Sequence, residues 1–295
     1  MGGIVVGSDG SEVSGYAVQW AAREAELRKE SLRIVHVLQS WLLDAPPEGP
    51  AGQVGQWARE DAGNLLTEAV AQANQAAPAA EVSADLVAGD ARPALIDAAE
   101  GASMLVVGGR GEGGFAGLLL GSVAYGVVGR TRCPVVVVQR PLGEPAGEVV
   151  VGVDASPGSA AALEFAFSEA AIRQATLRAV YTMAPLDRGG AIYGVRLDDD
   201  EPSARRELSA AVAPVAERHP TVKVVEEVTE GHPVGSLVNA STGSDLLVVG
   251  QRGRGGFARL LLGSVSRGVL HHATCPVTVV PAETTADGVQ TPSPS

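Results

Sequence analysis

Gly108–Ser122 reads GGRGEGGFAGLLLGS, and Gly250–Ser264 reads GQRGRGGFARLLLGS. The two strings align at one constant offset and differ only at Gly109/Gln251, Glu112/Arg254 and Gly117/Arg259. A repeat of this density makes the chain two copies of one architecture. Each string follows an apolar run, Met104–Val107 or Leu246–Val249, and leads into a segment with helical spacing, which places its glycines at a strand-to-helix turn. Such turns suit phosphates. Glycines there permit positive φ and let amides close on an anion. The helix opened by Gly121-Ser122 or Gly263-Ser264 adds free N–H groups, a partial positive charge and a hydroxyl. The competing reading is a tight turn with Ser122 and Ser264 as N-caps and no ligand.

Working outward, 295 residues suffice for two domains that each bury a core. A hydrophobic content of 45% with only 4% aromatic rests the packing on Val, Leu, Ala and Ile, as parallel sheets covered on both faces require. The first copy alternates strands at 3–8, 32–38, 82–87, 104–107 and 135–138 with helices near 12–29, 58–75, 93–100 and 122–129. The second repeats the order, and strict alternation predicts right-handed crossovers in a parallel sheet. The expected units are 1–142 and 147–282, joined through the turn-rich Pro141–Glu148, with a disordered Thr/Ser/Pro tail at 283–295. Ser40–Gln56 and Ala184–Asp200 read as insertions, either lids over a site or mobile surface. The last strands, Val135–Val138 and Val277–Val280, lie at sheet edges, where pairing joins either the two copies of one chain or two chains as a homodimer.

A net charge of −12 argues against DNA, RNA or anionic membranes as electrostatic partners, so an anionic ligand has to be held locally. Cys133 and Cys275 occupy equivalent positions and read as buried free thiols, without metal-ligand spacing. With no membrane-length apolar run and a strand entered at once through Ile4, Val5 and Val6, the expectation is a cytoplasmic protein.

The first strand runs into Gly7-Ser8-Asp9-Gly10-Ser11, and its copy into Gly152-Val153-Asp154-Ala155-Ser156. Ligands of open parallel sheets bind beyond the carboxyl ends of the strands, where strand order reverses. If strands one and four are neighbours, Asp9 faces the Gly108 loop, and its carboxylate suits a ribose hydroxyl or an adenine amine. The alternative is that Asp9 and Asp154 only cap the next helix. His36, His219, His232, His271 and His272 form no ligand set, and Lys29 and Lys223 are the only lysines, so neither turn has a P-loop lysine. No nucleophile or general base is identifiable. Arg110 and Arg252 either reach phosphates or are solvated. Trp20, Trp41 and Trp57 read as core or loop packing.

The string G-x2-G-x9-G-[ST], an aspartate ending strand one and Cys-Pro-Val before the last strand resemble the universal stress protein family, in its tandem two-domain form, over nearly the whole chain short of the tail. The resemblance implies two five-stranded parallel α/β sandwich domains, Rossmann-like, with strand order 3-2-1-4-5. It also implies one ATP per domain, with Mg2+ shared by the phosphates, and a stress or growth regulator acting on a protein partner that the sequence does not name. Gly7, Asp9 and Val37, with Gly152, Asp154 and Thr182, fall at the adenosine end. Gly108, Gly109, Arg110, Gly111, Glu112, Gly113, Gly114, Gly121, Ser122 and Val123 fall at ribose and phosphates, as do Gly250, Gln251, Arg252, Gly253, Arg254, Gly255, Gly256, Gly263, Ser264 and Val265. Ser103 departs from the family's aspartate, which Asp245 keeps. If Glu112 and Arg254 both point at phosphates, ATP is expected to bind more tightly in the second domain. The rival is an adenylate-transferring or ATP-hydrolysing enzyme of the related nucleotide-binding α/β folds, whose SGGxDS loop differs from Gly7–Ser11.

Overall fold

Runs of Val, Ile and Leu between glycines and polar turns become strands buried on both faces, and alanine-rich segments become the helices that lie on them. The computed structural model describes residues 2–44, 49–111, 120–141, 143–183, 200–254 and 261–282. The first half comprises β1 (Ile4–Gly7), α1 (Glu12–Arg28), β2 (Ser31–Leu38), α2 (Ser40–Leu43), α3 (Gly49–Ala76), β3 (Glu81–Ala88), α4 (Ala91–Ala98), β4 (Met104–Gly108), α5 (Ser122–Val127) and β5 (Val135–Val138). The second comprises β6 (Glu148–Gly152), α6 (Pro157–Arg173), β7 (Thr176–Met183), α7 (Glu201–Ala216), β8 (Val224–Glu230), α8 (Pro233–Ala240), β9 (Leu246–Gly250), α9 (Ser264–His272) and β10 (Val277–Val280).

The described strands all lie in one sheet of order β3-β2-β1-β4-β5-β10-β9-β6-β7-β8. Each half is parallel with order 3-2-1-4-5, as expected, and strand order reverses between β1 and β4 and between β6 and β9. The halves meet where β5 and β10 pair antiparallel, Val277 opposite Val137 and Val279 opposite Val135. The edge pairing left open by the sequence is therefore made within the chain. Two apolar layers sandwich the sheet, one beneath α1, α3, α6 and α7 and the other beneath α4, α5, α8 and α9, and both run across the seam without a break. In α1, Ala17, Ala21, Ala22 and Ala25 are fully buried, and their small side chains let the helix lie close to the strands.

Charged groups also cross the seam. Glu24 and Arg28 on α1 meet Glu169 and Arg173 on α6, and each arginine pairs with both glutamates. The glutamate side chains are only 3% and 0% exposed. Gln139 Nε2 donates to Leu270 O at 2.6 Å, and Gln251 Nε2 to Gly129 O at 3.0 Å.

Several expectations need correction. α3 begins at Gly49, not near residue 58, so much of Ser40–Gln56 is helical rather than an inserted loop. Pro50 is tolerated in the first turn, and Arg59 Nη1 ties α2 down by donating to Leu42 O and Leu43 O at 3.1 and 2.8 Å. Trp20 is core, but Trp41 and Trp57 are 62% and 65% exposed. Most of Ala184–Asp200 and the tail lie outside the described residues.

The aspartate that only the second copy keeps has a clear task. Asp245 accepts the amides of Ala146, Gly147 and Glu148 at 2.7, 2.8 and 3.1 Å, fixing the connection between the halves, whereas Ser103 donates to Glu30. Hydrogen bonds to charged groups contribute about 1.5–3 kcal/mol in well-formed cases, and this carboxylate is half-buried, so Asp245→Ala is expected to lower the unfolding free energy by about 2 kcal/mol. A urea midpoint unchanged from wild type would show that the connection needs no clamp.

Candidate functional site

The site grows from the end of β1. Asp9 Oδ1 accepts from Ser11 N at 3.1 Å and Ser11 Oγ at 2.6 Å, and Ser11 in turn caps α1 by accepting from Ser14 N at 3.2 Å. Asp154 repeats this with Ser156, whose amide and hydroxyl lie at 3.0 and 2.6 Å. Helix capping thus occupies one carboxylate oxygen. The other faces the glycine loop: a Cβ at Gly111 or Gly253 would stand well inside 3.0 Å of Asp9 Oδ2 or Asp154 Oδ2. Both copies therefore bring the aspartate of strand one onto the loop after strand four, at the point where strand order reverses.

This contact revises the reason for the glycines. None of the described loop glycines, Gly108, Gly109, Gly111, Gly121, Gly250, Gly253 and Gly263, has a positive φ. They are needed for close approach, to the aspartates at Gly111 and Gly253 and to the backbone of α1 at Gly108, where a Cβ would lie 3.2 Å from Ser14 N. Gly121 N donates to Gly109 O at 2.7 Å and Gly263 N to Gln251 O at 2.9 Å, closing each loop on its strand. The helices then start with Gly121 and Gly263 as extended N-caps without a side-chain cap. Ser122 and Ser264 are the first helical residues, not the caps, and their amides belong to the first turn, which has no intrahelical partner.

The other expected site residues have contacts of their own. Gly109 N and Gln251 N are spent on Val138 O and Val280 O, both at 2.8 Å, and the Gln251 side chain turns to the seam, donating to Gly129 O and Leu261 O. Gly7 and Gly152 make room for Leu95 and Leu237, whose Cδ1 atoms would stand 3.0 Å from an added Cβ. Val123 and Val265 are half-buried against the layer that holds α4, α5, α8 and α9. Val37 sits on β2, and Thr182 Oγ1 is 3.2 Å from Thr229 Oγ1 on β8. Arg110 and Arg252 are exposed. Glu112, Gly113, Gly114, Gly255 and Gly256 lie outside the described residues.

Arg254 is held by partners from several elements. Its amide donates to Asp154 Oδ2 at 3.0 Å, and its guanidinium donates to Tyr181 Oη at 3.0 Å and pairs with Glu207. The guanidinium carbon stands 5.6 Å from the Tyr181 ring centroid. Burial works against the Arg254 charge, yet the Glu207 carboxylate and Tyr181 outweigh it and raise the pKa. A carboxylate on α7 and an aromatic face on β7 thus hold this cation.

Sequence reasoning missed Tyr181 and Glu207, and it set His36 aside. His36 Nδ1 lies 2.8 Å from Ser8 O, beside the same crevice in the first half. Tyr181 takes the position of His36, since Gly7 pairs with Val35 and Gly152 with Val180. Among the described residues no cluster of three His, Cys, Asp or Glu suits a metal, and no helix is long and apolar enough to cross a membrane. Cys133 and Cys275 are buried and free, and burial pushes both thiols above their ordinary pKa.

Comparison with known proteins agrees with this architecture. The model of the universal stress protein family matches residues 1–139 and again 146–281. Universal stress protein Rv2623 of Mycobacterium tuberculosis is 36% identical over 291 residues, covering 94% of this chain and 95% of that protein. Universal stress protein Rv1996 of the same organism is 35% identical over 303 residues, covering 94% of each. The crystal structure of a universal stress protein from Archaeoglobus fulgidus superposes with a TM-score of 0.68 at 21% identity, covering 95% of this chain and 96% of that one.

Proposed function

The chain belongs to the universal stress protein family, and from that membership we propose that it binds one ATP in each half and acts as a nucleotide-dependent regulator rather than an enzyme. The observation that carries the reading is the duplicated contact of Asp9 with Gly111 and of Asp154 with Gly253. A carboxylate accepts hydrogen bonds from a ribose or an adenine amine, and the amides opening α5 and α9 suit phosphate oxygens beside it. Mg2+ fits as a passenger on the triphosphate, because the described residues offer no acidic cluster to hold it. The units 1–142 and 147–282 would each carry a site, and their seam makes the chain a pseudo-dimer in itself. Free Cys133 and Cys275 favour a reducing, cytoplasmic setting. Occupancy would stabilise the fold by mass action and bias the surface offered to a protein partner.

Nucleotide extracted from freshly purified protein and counted per chain tests this reading, and the expected result is two ATP. In titrations of the folded protein, Asp9→Asn with Asp154→Asn is expected to weaken binding roughly 10- to 100-fold, the worth of a hydrogen bond to a charged group. Protein that neither carries nor takes up ATP would overturn the proposal. Release of AMP or pyrophosphate during incubation would favour an enzyme.

A further inference from the structure

Among the described residues the two crevices share their main-chain contacts and differ in side chains. The register of β2 with β3 and of β7 with β8 places Val82 where the other half has Val224, and the preceding helices then align Leu65 with Glu207. Leu65 indeed lies against the first crevice, its Cδ1 2.8 Å from a Cβ built at Gly10, next to Asp9. The first half therefore sets His36 and Leu65 where the second sets Tyr181 and Glu207, and in sequence Glu112 aligns with Arg254.

In the second half these residues bond to one another. Arg254 reaches from the glycine loop to the Tyr181 hydroxyl and ring and to the Glu207 carboxylate, while its own amide holds Asp154 Oδ2. We propose that Glu207 sets the nucleotide affinity of the second site by holding the Arg254 guanidinium on Tyr181 and so withholding it from the phosphates, an inference that rests on the ATP reading above. A guanidinium binds phosphate and carboxylate through the same planar donors, so the two anions compete for one set of N–H groups. Glu207 also places a negative charge at the mouth through which a triphosphate has to enter, and Leu65 imposes no such charge on the first site. The device tunes a site whose loop already supplies a cation: nucleotide recruits Arg254 only by displacing Glu207.

The test is calorimetric titration of Mg-ATP into full-length protein carrying Gly111→Val, which disables the first site and isolates the second. Adding Glu207→Leu, the residue of the first half, is expected to tighten ATP about tenfold, the worth of one strong charge-assisted contact. Glu207→Gln, nearly isosteric, is expected to give a smaller gain in the same direction and guards against misfolding of the leucine variant. Adenosine, which has no phosphate, is expected to gain nothing, and Arg254→Ala is expected to erase the gain for ATP in a double-mutant cycle. Unchanged or weaker ATP binding in both folded Glu207 variants would overturn the proposal, as would a gain that survives Arg254→Ala. Failure of wild-type protein to bind ATP at either site would instead overturn the ATP reading itself.

Discussion

Glu24→Ala is expected to destabilise the protein by about 3–5 kcal/mol, the cost of leaving buried charges without their partner. The substitution strips Arg28 and Arg173 of one carboxylate each, at a place where the arginines are only 13% and 12% exposed. Water reaches them poorly there, and Glu169 alone has to serve both. Glu169→Ala is expected to cost as much, since its carboxylate is fully buried and meets the same two arginines. Chemical denaturation measures the loss directly. In a thermal scan, at about 2–4 °C per kcal/mol for domains of this size, the midpoint should fall on the order of 10 °C. Replacing all four residues by apolar side chains of similar volume is expected to be neutral or stabilising, because desolvating four charges cancels much of their attraction. A loss below about 1 kcal/mol for either glutamate variant would mean that solvent screens the quartet as it screens surface pairs.

The second large effect concerns ligand. Gly253→Val is expected to weaken ATP at the second site more than about 100-fold, equivalent to about 2.7 kcal/mol, and Gly111→Val to do the same at the first. In each case the new Cβ enters the space of the aspartate Oδ2. The carboxylate cannot simply rotate aside, because Oδ1 is anchored by the amide and hydroxyl of Ser156, or of Ser11 in the first half. Either the loop withdraws or the helix cap breaks, and both spoil the geometry a nucleotide would use. Since neither glycine has a positive φ, backbone strain is not added and the fold should survive. Titration of the two single variants should each show one ATP per chain, and of the double variant none. A Gly111→Val protein that keeps two sites of unchanged affinity would show that the aspartate–glycine contact is packing alone.

Much of this was legible in the sequence because it is local or repeated. The glycine string announced its strand-to-helix turn, the alternation of elements gave a parallel sheet, and Asp9 and Asp154 declared themselves by ending equivalent strands. What escaped depends on partners far apart along the chain. Glu24 and Arg173 meet only once α1 and α6 dock, and alone each reads as an ordinary helix charge. The guanidinium contacts of Arg254 escape because Glu207 and Tyr181 come from other elements, and nothing near Arg254 in sequence shows that they converge on it. The start of α3 escapes because Gly49, Pro50, Gly52 and Gly55 look like loop residues, whereas tertiary packing buries Gly52 and Gly55 within a helix. The seam contacts of Gln251 escape as well, since only the folded chain brings its side chain to Gly129 and Leu261.

The antiparallel meeting of β5 and β10 has a consequence for how such a protein behaves when scarce. Because both strands belong to one polypeptide, their union is unimolecular and has no dissociation threshold, so it persists at dilutions that would separate two free halves. The outer rims, β3 with Glu81 and Asp85 and β8 with Glu226, Glu227 and Glu230, carry acid that disfavours a further strand. One molecule, however rare, carries both of its crevices with it.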